Sequence, residues 1–204
     1  MSSSETTPPC PICGPALLAH LQQSPERIAR WAALPRLELQ RGQVLLRAGE
    51  TPPALWWVEH GLLRASFLDA AGRERNHAFY PEQQWLGLPG VPQPSALSLE
   101  ALEPSRLCVL PYAALQRWQA EEPGLAELLW QGLSAQVQRL TARQQQWLML
   151  DAAQRYQRFL AEEPELAPRL KQRQLASYLG ITDVALSRIR RRLREQVGPD
   201  EQAS

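Results

Sequence analysis

The chain has 204 residues, of which 44% are hydrophobic and 21% charged, and its formal net charge is +1. This length suits one large domain or two small ones with a buried core. No apolar run approaches the roughly 18–20 residues of a membrane helix, and the Ser/Thr/Pro-rich start lacks the pattern of a secretory signal. We therefore expect a globular cytoplasmic protein with no membrane partner.

Residues 1–35 are predicted to form a tail followed by helices. The tail carries Cys10 and Cys13 as a Cys-x-x-Cys pair, and apolar residues recur at helical spacing after it. Ser24 followed by Pro25 is a favourable helix start, because the serine hydroxyl can cap backbone N–H groups and proline fits the first turn.

Residues 36–121 are predicted to form a small antiparallel β domain. Candidate strands are separated by turns that contain glycine, which supplies the positive φ that tight turns need. The candidates are Val44–Arg47, Leu55–Glu59, Leu62–Phe67, Asn76–Tyr80, Ala96–Ala101 and Arg106–Leu110. Short strands at this spacing indicate a sandwich or roll.

One long helix is predicted over residues 122–150. Alternating spacings of four and three define a heptad seam, which is typical of a helix that packs against another helix. The seam consists of Ala126, Trp130, Leu133, Val137, Leu140, Gln144 and Trp147. Packing along the chain's own β domain would also require an apolar stripe, and off-seam residues such as Leu125 and Leu129 suit that role. We therefore expect the seam to form a homodimer interface.

Residues 151–204 are predicted to form a helical domain whose first helix is capped by Asp151. Between Arg169 and Glu195 there are eight Lys or Arg residues and two acids, a net charge of +6. A basic end on an otherwise acidic chain indicates a module that binds a polyanion, although a solvated basic face would show the same charge.

The segment from Lys171 to Arg194 has the pattern of a helix-turn-helix. Gly180 can end the first helix in the left-handed conformation, and Thr182 can cap the second. The inner faces are formed by Leu175, Ala176, Leu179, Leu186, Ile189 and Leu193. An exposed arginine near the start of the second helix suits major-groove recognition, because a guanidinium can pair with both acceptors of guanine. An ordinary helical hairpin with a basic face is the alternative.

This segment resembles the helix-turn-helix of the Crp/Fnr superfamily of bacterial transcription factors. The glycine motifs at residues 41–43, 48–50, 61–64, 71–74 and 85–87 are similar to that family's β-roll. The resemblance implies an α+β fold with an N-terminal antiparallel β-roll sensor domain, a long dimerisation helix and a C-terminal helix-turn-helix domain. The β-hairpin wing usual in the family is expected to be missing, since about ten residues follow Arg194.

The resemblance also implies DNA contacts at particular positions. Base contacts are expected from Asp183, Val184, Ser187 and Arg188, and backbone contacts from Lys171, Gln172, Thr182, Arg191 and Arg194. Val184 stands where relatives often have a glutamate that accepts from cytosine, so we expect a different half-site. RNA polymerase is a further partner that the resemblance implies.

Two charged residues that bind cyclic nucleotides in relatives are replaced here. Leu88 stands at the position of the glutamate that binds ribose, and Pro94 at that of the arginine that pairs with the cyclic phosphate. Binding of cyclic AMP in the usual way is therefore not expected.

The cysteines resemble part of the iron–sulfur set in the family's oxygen-sensing branch. Cys10, Cys13 and Cys108 match three of its four cysteines; Ala19 stands near the fourth position, with His20 beside it. A four-iron cluster normally has four thiolates, although histidine serves in some centres. An iron–sulfur cluster or another metal, a thiol redox switch, and no role at all stay open.

An enzyme is not expected. His20, His60 and His77 are scattered, and no Ser/His/Asp order, phosphate loop or carboxylate pair stands out. The rival to a DNA-binding regulator is a β-roll protein that acts on a protein partner and has a degenerate DNA-binding domain.

Overall fold

The computed structural model describes residues 19–20, 23–88 and 92–197. Cys10 and Cys13 lie outside the described residues. A β domain comes first along the chain and a set of helices follows. None of the helices in the described part combines the length and the apolarity of a membrane-spanning segment.

Two antiparallel sheets of four strands each make up the β domain in the described part of the chain. The strands are β1 Arg36–Leu39, β2 Val44–Leu46, β3 Ala54–His60, β4 Leu63–Leu68, β5 Glu74–Tyr80, β6 Trp85–Leu86, β7 Ser98–Ala101 and β8 Ser105–Pro111. They are ordered β1-β8-β3-β6 in one sheet and β2-β7-β4-β5 in the other. The six predicted strands are confirmed to within two residues at each end, whereas β1 and β6 were not predicted.

The core of the β domain comes from alternating apolar residues. Leu63 and Ala65 of β4 pair with Ala101 and Leu99 of β7, and all four are buried. In a strand, successive side chains point to opposite faces, so these positions share the inner face of the sheet. The turn before β4 requires glycine, because a Cβ at Gly61 (φ +99°) would lie 2.7 Å from a neighbouring backbone carbonyl oxygen.

The helices are α1 Pro25–Ala32, α2 Tyr112–Glu121, α3 Pro123–Met149, α4 Ala152–Glu162, α5 Gln172–Tyr178 and α6 Asp183–Val197, with a 3-10 turn at Ala167–Arg169. The predicted caps are confirmed: Ser24 Oγ accepts from the Glu26 backbone, and Asp151 accepts from two backbone N–H groups of α4. Helix α2 lies in the segment predicted as β domain. It forms because Pro111 ends β8 and Leu115 is then buried against the sheet.

A shared apolar core joins the β domain to the C-terminal helices. Leu62, Phe79 and Leu102 from the β domain pack with Tyr156 and Phe159 of α4. The same cluster includes the buried residues of α5 and α6. The helix-turn-helix is therefore seated on the β4–β5 side of the β domain.

Candidate nucleic-acid interface

Helices α5 and α6 form the helix-turn-helix that the sequence predicts. Leu175 and Leu186 are fully buried between them, and Ala176 is 1% exposed, so the two helices approach closely. Gly180 ends α5 with φ +70°, and Thr182 Oγ1 accepts from the Ala185 backbone N–H at 3.2 Å. The predicted glycine stop and threonine cap are both confirmed.

Gly180 has a second role that the sequence did not reveal. A Cβ at this position would lie 2.1 Å from the ring of Trp147, near the end of α3. The same ring carries the Arg155 guanidinium 4.6 Å from its centroid. Trp147, predicted as a dimer contact, therefore also packs against the turn within its own chain.

The predicted DNA-contacting residues lie together on one exposed surface. Asp183, Val184, Ser187 and Arg188 are exposed on the outer face of α6, and Lys171, Gln172, Thr182, Arg191 and Arg194 are exposed around it. Gln172 Nε2 donates to the Asp183 carbonyl at 3.1 Å, which holds the starts of α5 and α6 together. Exposed arginines on this surface suit contact with a phosphate backbone. Among the described residues of this surface, Arg191 forms an ion pair with Glu195, with 3.7 Å between Arg191 Nε and Glu195 Oε1.

Arg190 points inward and was not singled out by the sequence analysis. Its Nε donates to the Tyr156 hydroxyl at 3.1 Å, and its guanidinium lies 5.5 Å from the centre of that ring. The residue therefore positions α6 against α4. Its place on the inner side of α6, next to the half-buried Ile189, was the available signal.

Hydrogen bonds connect α5 to the edge of the β domain. The buried Asn76 of β5 donates through Nδ2 to the Gln174 carbonyl at 2.9 Å, and its backbone N–H donates to Ser177 Oγ at 3.0 Å. Arg143 of α3 lies 4.1 Å above the Tyr178 ring. These contacts set the orientation of the helix-turn-helix relative to the β domain.

Arg169, just before α5, is the main charged contact between the two parts. Its guanidinium donates two hydrogen bonds to Glu82, at 2.8 and 3.0 Å, and two to Glu103, at 2.7 and 3.2 Å. Burial alone would raise the pKa of Glu82, but hydrogen bonds from Arg169 and from the Gly61 backbone outweigh it and lower the pKa to about 2. The carboxylate is thus held ionised.

The long helix α3 has two different faces. Leu125 and Leu129 are buried against the β domain and α2. Seam residues Trp130 and Val137 are 67% and 62% exposed, and Leu140, Gln144 and Trp147 are also exposed, with Leu133 half-buried. The chain therefore leaves an apolar stripe of α3 uncovered.

Cys108 is unsuited to ligate a cluster in this arrangement. It is fully buried, packs against Trp57, and is enclosed by Trp31 and Trp85. In the metal-free chain, burial raises the pKa of this thiol to about 12. Within residues 19–20, 23–88 and 92–197, no group of three His, Cys, Asp or Glu side chains is arranged to hold a metal. The described residues thus do not fit an iron–sulfur cluster.

Comparisons with known proteins agree with this architecture. The family model for the cyclic nucleotide-binding domain matches residues 36–122. The chain is similar to the transcriptional regulatory protein Btr of Bordetella pertussis, with 25% identity over 76% of this chain and 69% of Btr. It is 24% identical to the transcriptional activator Anr of Pseudomonas protegens over 74% of this chain and 67% of Anr.

Solved structures share the fold. FixK2 from Bradyrhizobium japonicum superposes with a TM-score of 0.70 and 21% identity, over 80% of this chain and 86% of FixK2. A CooA mutant from Carboxydothermus hydrogenoformans superposes with a TM-score of 0.71 and 16% identity, over 88% of this chain and 84% of CooA. The relatives are transcription regulators and not enzymes, in line with the sequence analysis. Residues 36–122 match the cyclic nucleotide-binding domain family, and the chain as a whole is similar to transcription regulators of the Crp/Fnr superfamily.

Proposed function

We propose that the chain is a sequence-specific DNA-binding regulator that acts as a homodimer in the cytoplasm. The observation that carries this proposal is the exposed outer face of α6, with Arg188 beside Val184 and Ser187, on a helix-turn-helix whose inner face is buried. A guanidinium at this place can reach O6 and N7 of one guanine. Base contacts from Asp183, Val184, Ser187 and Arg188 are part of the proposal.

The homodimer follows from the uncovered stripe of α3. An apolar stripe on a 27-residue helix costs free energy in water unless another surface covers it. A second copy of the same helix supplies a matching heptad seam. Two-fold symmetry then sets the recognition helices on an inverted repeat whose half-sites lie one helical turn apart. RNA polymerase is proposed as a partner of this DNA-bound dimer.

We further propose that the sensor domain does not take cyclic nucleotides. Leu88 is 66% exposed, and neither it nor Pro94 offers a charge for a ribose or a cyclic phosphate. A buried phosphate needs a cationic or hydrogen-bonding partner. Calorimetric titration with cyclic AMP should therefore show no binding at micromolar concentrations, and a saturable heat signal would contradict this part of the proposal.

Binding to labelled random duplex DNA, followed by fluorescence anisotropy at several salt concentrations, tests the DNA-binding function. We expect log K to fall linearly with log salt, by roughly 0.9 per phosphate contact. Selection from the random pool should then enrich an inverted repeat. If no duplex binds even at low salt, the function is that of a β-roll regulator acting on a protein partner.

A further inference from the structure

A polar pocket lies where the last turns of α3 meet α4 and the end of α5. Its lining includes Arg143, Trp147, Phe159, Glu163, Tyr178 and Leu179. The enclosed space is about 50 Å³, and an open mouth brings the empty volume to about 400 Å³. Since a single water needs roughly 10–15 Å³, the enclosed part has room for a group of about three to five non-hydrogen atoms. A larger ligand would extend into the mouth.

Arg143 brings a positive charge to this pocket without a carboxylate to balance it. Its Nη1 donates to the His77 carbonyl, and its guanidinium lies 4.1 Å from the centre of the Tyr178 ring. No carboxylate of the described residues pairs with it, and burial lowers its pKa. Arg155, also in the lining, donates to two backbone carbonyls and adds a second positive charge. A cation taken out of water is normally paired, so a bound carboxylate would be favoured here.

Glu163 brings the opposite charge to the same lining. The adjacent Glu162 is paired with Arg158, with 2.6 Å between Oε1 and Nε, whereas no cation in the described part of the chain forms an ion pair with Glu163. Desolvation and the charge of Glu162 raise the pKa of Glu163, and attraction by Arg139 offsets this only in part. A bound ammonium group would favour the ionised carboxylate.

The two unpaired charges share one pocket without pairing with each other. Arg143 and Glu163 both belong to the lining, and no ion pair joins them. A ligand that carries both charges would give each of them a partner. Trp147 and Phe159 add apolar surface to the same lining. The pocket therefore favours a small zwitterion that also has an apolar part.

We propose that this pocket binds an α-amino acid with an apolar side chain, whose carboxylate faces Arg143 and whose ammonium group faces Glu163. The carboxylate, the α-carbon and the ammonium nitrogen are about five non-hydrogen atoms, which fits the enclosed space. The side chain then extends into the mouth. Trp147 also packs against the turn at Gly180, so an occupant would contact the helix-turn-helix. That link to regulation rests on the proposed function, whereas binding itself does not.

Calorimetric titration of the DNA-free protein with three matched probes tests the proposal. L-leucine carries both charges, 4-methylpentanoate lacks the ammonium group, and 3-methylbutylamine lacks the carboxylate. We expect saturable binding of L-leucine and at least about tenfold weaker binding of the other two, because each of them leaves one protein charge unpaired.

Variants of the lining test the assignment of the two charges. Arg143→Met and Glu163→Gln should each weaken the binding of L-leucine at least about tenfold. Glu165→Gln is the matched control, since Glu165 is exposed and lies outside the lining, and it should leave binding unchanged.

Three outcomes would overturn the proposal. The first is the absence of a saturable heat signal with L-leucine at millimolar concentrations. The second is equal binding of L-leucine and 4-methylpentanoate, which would make the pocket a site for monocarboxylates. The third is unchanged binding in Glu163→Gln, which would place the amino acid elsewhere. Glu163 is exposed, so its variant decides even if Arg143→Met fails to fold. No DNA is present in these measurements, so their failure leaves the proposed function standing.

Discussion

At position 180 the chain needs a residue without a side chain for two reasons that can be separated. Gly180 and Gly72 have similar positive φ angles, +70° and +75°, but only the Cβ at 180 would strike another group, the Trp147 ring. We expect Gly72→Ala to cost about 1 kcal/mol, the backbone term alone. Gly180→Ala should cost about 1–3 kcal/mol more. Urea unfolding measures both, and equal costs would show that Trp147 yields without strain.

Arg188 is the residue on which base recognition depends most directly. Arg188→Ala should weaken operator binding about 10- to 100-fold and relax preference at one base pair per half-site, as the loss of a bidentate guanine contact predicts. Arg191→Ala should instead weaken operator and random DNA alike, since a phosphate contact carries no sequence information. Anisotropy with both kinds of duplex distinguishes them. Equal losses for Arg188→Ala would make it a backbone contact.

At the scale of elements, α3 serves two partners with two faces. Its buried Leu125 and Leu129 face the β domain, while Leu133 and Val137 lie on the seam. A Leu133→Asp/Val137→Asp double variant should be monomeric by light scattering. Carboxylates that face each other across the seam would repel, and their dehydration on association would cost free energy. Leu148→Asp, exposed away from the seam, is the control and should stay dimeric. A dimeric double variant would mean that protomers associate through another surface.

At the scale of the whole molecule, Arg169 links the β domain to the helix-turn-helix. Arg169→Met should lower the free energy of unfolding by about 1–3 kcal/mol, because it removes charge-assisted hydrogen bonds and leaves Glu82 and Glu103 facing each other. Arg191→Ala, which breaks an exposed ion pair with Glu195, should change it by less than about 0.5 kcal/mol. Similar losses in urea unfolding would show that the link adds no stability.

The same link predicts an acid-dependent loss of stability. The pKa of Glu82 is about 2 in the folded chain against an ordinary value of 4.5. As the pH falls, the Glu82 carboxylate is therefore protonated in the unfolded chain before it is protonated in the folded chain. The stabilisation is complete above pH 4.5 and is lost as pH falls toward 2. Urea unfolding at pH 7, 5 and 3 should show a steeper loss for the wild type than for Arg169→Met. Parallel pH profiles would contradict the ion pair.

The sequence by itself determined the features that depend on local periodicity and capping. Six strands followed from short segments separated by glycine turns, and α3 from its heptad spacing. The caps at Ser24, Asp151 and Thr182 followed from side chains that accept from nearby backbone N–H groups. The exposed face of α6 could be predicted because its apolar stripe marks the buried face of the helix, and the remaining residues then lie on the exposed face.

Only the tertiary structure decided the contacts between residues far apart in the chain. Nothing near Arg169 indicates its pairing with Glu82, and nothing near Gly180 indicates the Trp147 ring. Strands β1 and β6 are short and form as partners of β8 and β3, so their own residues carry little signal. The same holds for Cys108, since its place in the sequence suggested a ligand, while three distant tryptophans enclose it in an apolar site that disfavours the thiolate.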